Sequence, residues 1–172
     1  MKKNEESGGA VEYLVRKAME SDLPRIEDIY ACAREFMART GNPNQWGKTH
    51  PPHDCLVDDI EKGLLNVITA DDTIHGVFFF VIGDDPSYAY IEDGDWKYKE
   101  AYGTIHRIAS DGSGGILQTA VADCLKMIRN IRIDTHHDNV VMQKAVKKLG
   151  FEKSGIIYVE DGSPRIAYEL YK

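Results

Sequence analysis

The first segment with chemical potential is Ser110-Asp111-Gly112-Ser113-Gly114-Gly115, in which three of six residues are glycine. It leads from a strand-like stretch, Thr104 to Ala109, into a helix-like one beginning at Ile116. The N–H groups at a helix start have no partners, and the helix dipole adds roughly half a positive charge there, so such a turn favours phosphate. Glycine suits the position because a side chain would hold the guest away from the backbone. Gly- and Ser-rich turns of this kind also occur without a ligand, so the segment alone does not decide. A second segment, Ile131 to Thr135 followed by His136-His137-Asp138-Asn139, ends a strand and places an Asn at a helix start, where it is a preferred cap.

Other groupings were weighed as metal sites. His50-Pro51-Pro52-His53-Asp54-Cys55 offers two imidazoles and a thiol, but no second cluster nearby in sequence completes four ligands. Adjacent His136 and His137 are expected to point in different directions, so no metal is expected. The Asp-rich connection from Asp84 to Asp95 lacks the spacing of a calcium loop and reads as a solvated segment bordering a pocket. Trp46, in a proline-containing loop, is either an apolar plug or one wall of a binding site.

These residues need elements to position them. Glu12 to Lys17 alternates as a strand; Asp22-Leu23-Pro24 then opens a helix whose apolar face carries Ile26, Ile29, Tyr30, Ala33, Phe36 and Met37. Gly41-Asn42-Pro43-Asn44 ends it, and Asp54 to Lys62 predicts a second, short helix. Leu65–Thr69 and Ile74–Ile82 form a hairpin about Asp71-Asp72, and the unbroken apolar character of the second strand predicts cover on both faces. After the connection from Gly83 to Tyr102 come the strand at Thr104, a helix striped by Leu117, Val121, Cys124, Leu125 and Ile128, the strand from Ile131, and a helix ending at Gly150. Ile156–Val159 and Arg165–Tyr171 close the chain as a hairpin. This order predicts an α/β (α+β) fold, a mixed and mostly antiparallel sheet of about 6–7 strands flanked by about 4 helices.

The totals fit that picture. The chain has 172 residues, 42% hydrophobic and 28% charged, with 28 acidic against 21 basic side chains and a net charge of −7. No basic cluster suggests nucleic acid. The longest apolar run, Val77 to Ile82, is far short of the ~20 residues that cross a bilayer, so no membrane partner is expected. Cys32, Cys55 and Cys124 are odd in number and unpaired in spacing, which points to reduced, mostly buried thiols of a cytoplasmic protein. Residues 1–10 are polar and are expected to form a disordered tail before a single domain over 11–172. A homodimer is the commonest assembly for such a chain.

Several stretches together resemble one bacterial subgroup of the GNAT (GCN5-related N-acetyltransferase) family: Gln45-Trp46, Asp58-Asp59-Ile60-Glu61-Lys62-Gly63, Ile105-His106-Arg107-Ile108-Ala109 with its glycine turn, Asn139 followed by Leu149-Gly150-Phe151, and Gly155-Ile156-Ile157-Tyr158 with Arg165-Ile166-Ala167-Tyr168. The resemblance implies an acyl-CoA N-acyltransferase fold, with acetyl-CoA as cosubstrate and an amine as acceptor. The strand ending Ile108-Ala109-Ser110 is then expected to splay from its neighbour and take the pantetheine arm. The amides of Gly112, Ser113, Gly114, Gly115 and Ile116 would hold the pyrophosphate, and Asn139 would either orient the arm or cap its helix. Two departures stand out. The turn is about three residues shorter than the family's and lacks its Arg or Gln, and Val146 stands where many members carry a Tyr that protonates the leaving thiolate.

In such a reaction a group must take the proton of the ammonium before the amine attacks the thioester, and a backbone N–H must hold the oxyanion. His106, Glu100 and His136 are the candidate bases, with His106 best suited near neutrality, and Tyr158 is a further polar group at the acceptor end. Trp46 and His136 would border the acceptor. A non-catalytic acyl-CoA sensor or partner-binding module on the same fold is the alternative.

Overall fold

Strands rich in apolar residues at Leu14–Lys17 (β1), Leu65–Ala70 (β2), Thr73–Ile82 (β3) and Gly103–Ser110 (β4) form an antiparallel meander in the computed structural model, which describes residues 11–172. Asn130–Thr135 (β5) joins β4 in parallel, and Glu152–Tyr158 (β6) and Pro164–Tyr171 (β7) complete a seven-stranded sheet in the order β1-β2-β3-β4-β5-β7-β6. Four helices flank it: Leu23–Arg39 (α1), His53–Glu61 (α2), Ile116–Cys124 (α3) and Val140–Lys148 (α4). The expected mixed, mostly antiparallel sheet is the fold.

β3 shows why its sequence is apolar throughout. Phe78 and Phe80 face one core with Ile116, Val121 and Val146 of α3 and α4. Val77 and Phe79 face another, with Ile26, Ile29 and Leu56 of α1 and α2. Each fully buried side chain of this size contributes about 1.5–3 kcal/mol, so both faces of β3 help to hold the sheet between its helices.

In the Gly83–Tyr102 connection most side chains from Asp84 to Asp95 are exposed, but three aromatic residues anchor it. Its Tyr88, Trp96 and Tyr102 bury against Ile157 and Ala167 as a third cluster. The Trp96 indole N–H donates to the Tyr88 carbonyl at 3.0 Å, and the Arg132 guanidinium lies between Trp96 and Tyr102, 3.9 and 3.8 Å from their ring centroids. Glu92 and Ile156 exchange two 2.8 Å backbone hydrogen bonds that pin the connection to β6. This approach needs glycine on both sides, because a Cβ at Gly94 would strike the Ser154 carbonyl and one at Gly155 the Glu92 carbonyl.

Other differences are local. β6 starts at Glu152, before the expected Ile156, because an edge strand tolerates the exposed Glu152 and Lys153 that hid it in the sequence. Phe36 is 44% exposed, whereas Ile26 and Ile29 of the same helix are buried. The three cysteines are free, but only Cys124 is buried; Cys32 falls on the outer face of α1 and is exposed. The tail expected over residues 1–10 lies outside the described residues. Among the described residues no helix is long and apolar enough to cross a membrane.

Candidate active site

β4 and β5 pair only at Gly103 with Ile131 and at Thr104 with Arg132, then separate. The separation begins where β4 carries a bulge: Val77 opposes Ala109 and Phe79 opposes His106, so β4 holds one residue more than β3 between those pairs. Arg107, within the bulge, has φ 48°, a left-handed conformation that costs a non-glycine residue about 1 kcal/mol or more. Three contacts hold it there. The guanidinium pairs with Asp59 and lies 4.7 Å from the Phe79 ring centroid, while the Tyr30 hydroxyl donates to the Arg107 carbonyl at 2.7 Å. Burial pushes the Asp59 carboxyl up, and the Arg107 guanidinium only partly offsets it.

The split opens a cavity of about 550 Å³. Ile105–Ile108 of β4 and Ile133–Thr135 of β5 form its walls, Trp46 and His50 close one side, Asn139 and Met142 of α4 another, and the β6–β7 hairpin contributes Val159 to Asp161 and Arg165.

His106 sits on this wall between two carboxylates. Its Nε2 lies 2.7 Å from Asp85 Oδ2 and its Nδ1 3.7 Å from Asp134 Oδ1, which also accepts a 2.7 Å hydrogen bond from the Tyr88 hydroxyl. Asp85 in turn accepts from the Ser87 amide at 2.9 Å. Burial pushes the Asp85 carboxyl up, but His106 and Ser87 outweigh it and hold the group below the usual carboxylate range. The Asp85 contact fixes the ring orientation, and with a proton on Nε2 the Nδ1 lone pair is the free one.

The glycine turn suits a diphosphate, with a narrower set of donors than expected. Gly112 N–H donates to Ser110 Oγ at 3.2 Å and Ser113 N–H to Asp111 Oδ1 at 3.1 Å, so these two amides are already engaged. Gly114, Gly115 and Ile116 keep free amides at the start of α3 among the described residues. A Cβ at Gly112 or Gly114 would meet nothing within 4 Å, so the turn is open to a guest. Gly115, at φ 81°, sets the chain into α3 in a conformation that glycine alone adopts freely. Asp111 places a carboxylate inside this turn, paired with Arg25 at 2.7 Å and in contact with His75 Nδ1 at 3.0 Å.

The other expected residues divide. Ile108, Trp46 and Asn139 line the cavity. Trp46 is both plug and wall, since it packs edge-on against Tyr30 at 5.6 Å while facing the cavity. Asn139 caps α4, its Oδ1 accepting from Met142 N–H at 3.1 Å, and its Nδ2 donates to Gln45 Oε1 at 3.0 Å. Ala109 is buried in the α1 core. Glu100 lies apart, exposed beside a second hollow that Asp84, Lys99 and Arg132 also line. Tyr158 is 38% exposed and donates to Glu92, on β6 away from the cavity wall. Val146 is fully buried in the core of α3 and α4.

His136 and His137 do not diverge as expected. Their rings stack 4.2 Å apart, because the turn after β5 brings Asp138 within 3.6 Å of His136 Nδ1 and 3.1 Å of His137 Nε2. The three side chains offer ligand atoms within 4.8 Å of one another. Burial, then His137 and Arg165, push the His136 imidazole down.

Sequence reading missed Asp85, Asp134, Arg107 and Arg165. Two had a visible signal: Asp134 and Arg132 are charges two apart, alternating with Ile131 and Ile133 in a strand, and Asp85-Pro86 is a turn opener. The others depend on a bulge and a hairpin register that no local pattern announces.

No protein-family model matches the sequence, and no curated protein matches it either. Solved structures do. A GNAT-family acetyltransferase from Streptococcus agalactiae superposes with a TM-score of 0.84 at 28% identity, covering 93% of this chain and 95% of that one. An acetyltransferase from Staphylococcus aureus gives 0.65 at 26% identity, over 92% and 98%. An acetyltransferase from Salmonella typhimurium, solved with its cofactor acetyl-CoA, shares the fold at 0.59 and 13% identity, over 92% and 93%. With the split sheet, the bulged strand and these likenesses together, the chain has the fold of the GNAT-family acetyltransferases.

Proposed function

We propose that the chain is an N-acetyltransferase that moves an acetyl group from acetyl-CoA to a primary amine of a small molecule or peptide, by direct attack in a ternary complex. The observation that carries this reading is His106, held by Asp85 and facing Asp134 on the wall of the β4–β5 cleft. Asp134 attracts an ammonium group, and His106 Nδ1 takes its proton directly or through water. The freed amine forms a bond to the thioester carbonyl carbon, the C–S bond breaks, and coenzyme A departs as thiolate, while the nitrogen gives up its second proton to that thiolate or to water. Backbone amides of β4 beyond Thr104, where β5 no longer pairs, supply the oxyanion donor. The amides of Gly114 to Ile116 hold the diphosphate, and Met142 and Asn139 border the arm.

Direct attack is favoured over an acyl-enzyme because no cysteine lines the cavity among the described residues. Burial pushes the Cys124 thiol up to about 12 and raises Cys55 as well, the reverse of what a nucleophilic thiolate needs. The buried Val146 offers no proton to the departing thiolate, which favours a second reading, an acyl-CoA sensor that binds without turnover. A panel of primary amines incubated with acetyl-CoA separates them. Transfer predicts one N-acetylated product per thiol released, detected by mass spectrometry and thiol titration. A melting temperature raised by acetyl-CoA with no product from any amine would give the sensor reading.

A further inference from the structure

The cavity offers more than an amine needs. Arg165 is only 8% exposed, yet its guanidinium has no carboxylate within 4.0 Å among the described residues, unlike Arg107 with Asp59, Arg25 with Asp111 and Arg16 with Asp22. Its hydrogen bonds among these residues run from Nη1 alone, to Ser163 Oγ and the Pro164 carbonyl, both at 3.0 Å. The Nη2 and Nε donors are left over, in a residue that lines the cleft. Neither is among the buried atoms that lack a partner, so both are open to water in the cleft, which a ligand oxygen can replace.

Its placement says where that partner sits. Ala167 pairs with Asp134 across β5 and β7, so both side chains leave the same face of the sheet. Arg165, two residues along β7, shares that face, roughly 7 Å further along the strand. The group that would meet an ammonium, Asp134 with His106, and the free guanidinium therefore stand on one wall. The imidazoles beside Arg165 do not compete as cations: burial, then neighbouring charges including Arg165, push both His50 and His136 down. Asp134, Glu160 and Asp161 make the rest of the lining acidic, which suits one negative charge on Arg165 and disfavours a dianion.

We propose that the acceptor carries a single carboxylate beside its amine, docked on the free edge of Arg165, so that the substrates are small amino carboxylic acids. This rests on the acetyltransferase reading of the same cleft. Arg165 acts on specificity: its planar donor edge pairs with carboxylate oxygens while the amine is held at Asp134 and His106.

The test compares amino acids with one to five carbons between amine and carboxylate, their carboxamides, and the parent alkylamines, on wild type, Arg165→Met and Arg165→Lys. The acids are expected to exceed the amides and alkylamines in kcat/KM by about 10- to 100-fold, a preference lost in Arg165→Met and partly kept in Arg165→Lys. Equal rates for acids and alkylamines, or an Arg165→Met loss that is the same for both, would overturn the carboxylate site and leave acetyl transfer standing. Binding of the same compounds, read by melting temperature, separates the two claims. Arg165-dependent stabilisation by the acids with no transfer to any amine keeps the site and removes the enzyme. Neither transfer nor binding removes both. If Arg165→Met does not fold, the wild-type comparison of acids with carboxamides decides.

Discussion

The glycine turn proposed for the cofactor and the cleft proposed for the acceptor differ in how far apart in the chain their parts lie. On the cofactor side, the turn from Ser110 to Gly115 and helix α3 are one uninterrupted run. On the acceptor side, Trp46, Asp85, His106, Asp134 and Arg165 come from five separate stretches, joined by a packed connection, a bulge and a hairpin. The first kind of site is set by backbone conformation and survives side-chain change wherever glycine is kept. The second is set by tertiary packing, so it can be retuned for a different acceptor by single substitutions.

That contrast gives ways to break it. The largest effect on stability is expected at Trp96→Ala, which empties the cluster that carries the Asp85 connection and strips one face from Arg132. Urea unfolding should show a loss of about 3–5 kcal/mol, and transfer should fall while acetyl-CoA affinity in the folded fraction is kept. A loss below about 1 kcal/mol would mean the connection is not a packed unit. Gly115→Val should act on the other side. At φ 81° a β-branched residue is strained and distorts the amides at the start of α3, so the Kd for acetyl-CoA should rise about 10-fold while kcat at saturation is kept. A fall in kcat with unchanged Kd would contradict that assignment.

The smallest effect is expected at Asp22→Asn, which touches neither side of the cleft. The Arg16 guanidinium, bonded at 2.7 and 3.0 Å, holds the Asp22 carboxyl below the usual range against the opposing effect of burial. A depressed folded value means the pair stabilises above the unfolded pKa of about 3.9 and is lost as pH falls through the folded value. Arg16 is 39% exposed, so screening limits the effect to about 1 kcal/mol at neutral pH. The difference in melting temperature between wild type and variant should close on acidification below pH ~4. A gap that persists at low pH would point to the Met19 amide contact, 2.8 Å from Asp22, as its source.

The same contrast explains what was legible in the sequence. The apolar run of β3, the helix stripe of α1 and the glycine turn are local patterns, and the order of elements follows from them. The resemblance to the GNAT family carried the splay, His106 and the cofactor turn. Asp85 shows only as a turn opener, because nothing near it in sequence says it will meet a histidine of the next strand. Arg107 was hidden because its role follows from a left-handed bulge in a strand that reads as regular. Arg165 reads only as part of a strand, since a charge after proline in a hairpin looks like an ordinary turn residue. Glu100 and Tyr158 were chosen for their chemistry, and packing turned both away from the cleft.

The central claim is that His106 runs the chemistry from the acceptor side without holding the cofactor. Its most direct test is His106→Gln, with the acetyl-CoA Kd measured by calorimetry and kcat measured at saturating acetyl-CoA on the same preparation. The account predicts a wild-type Kd and a kcat lower by about 10²–10⁴-fold. A kcat near that of wild type, or a Kd that rises with the loss of activity, would contradict it.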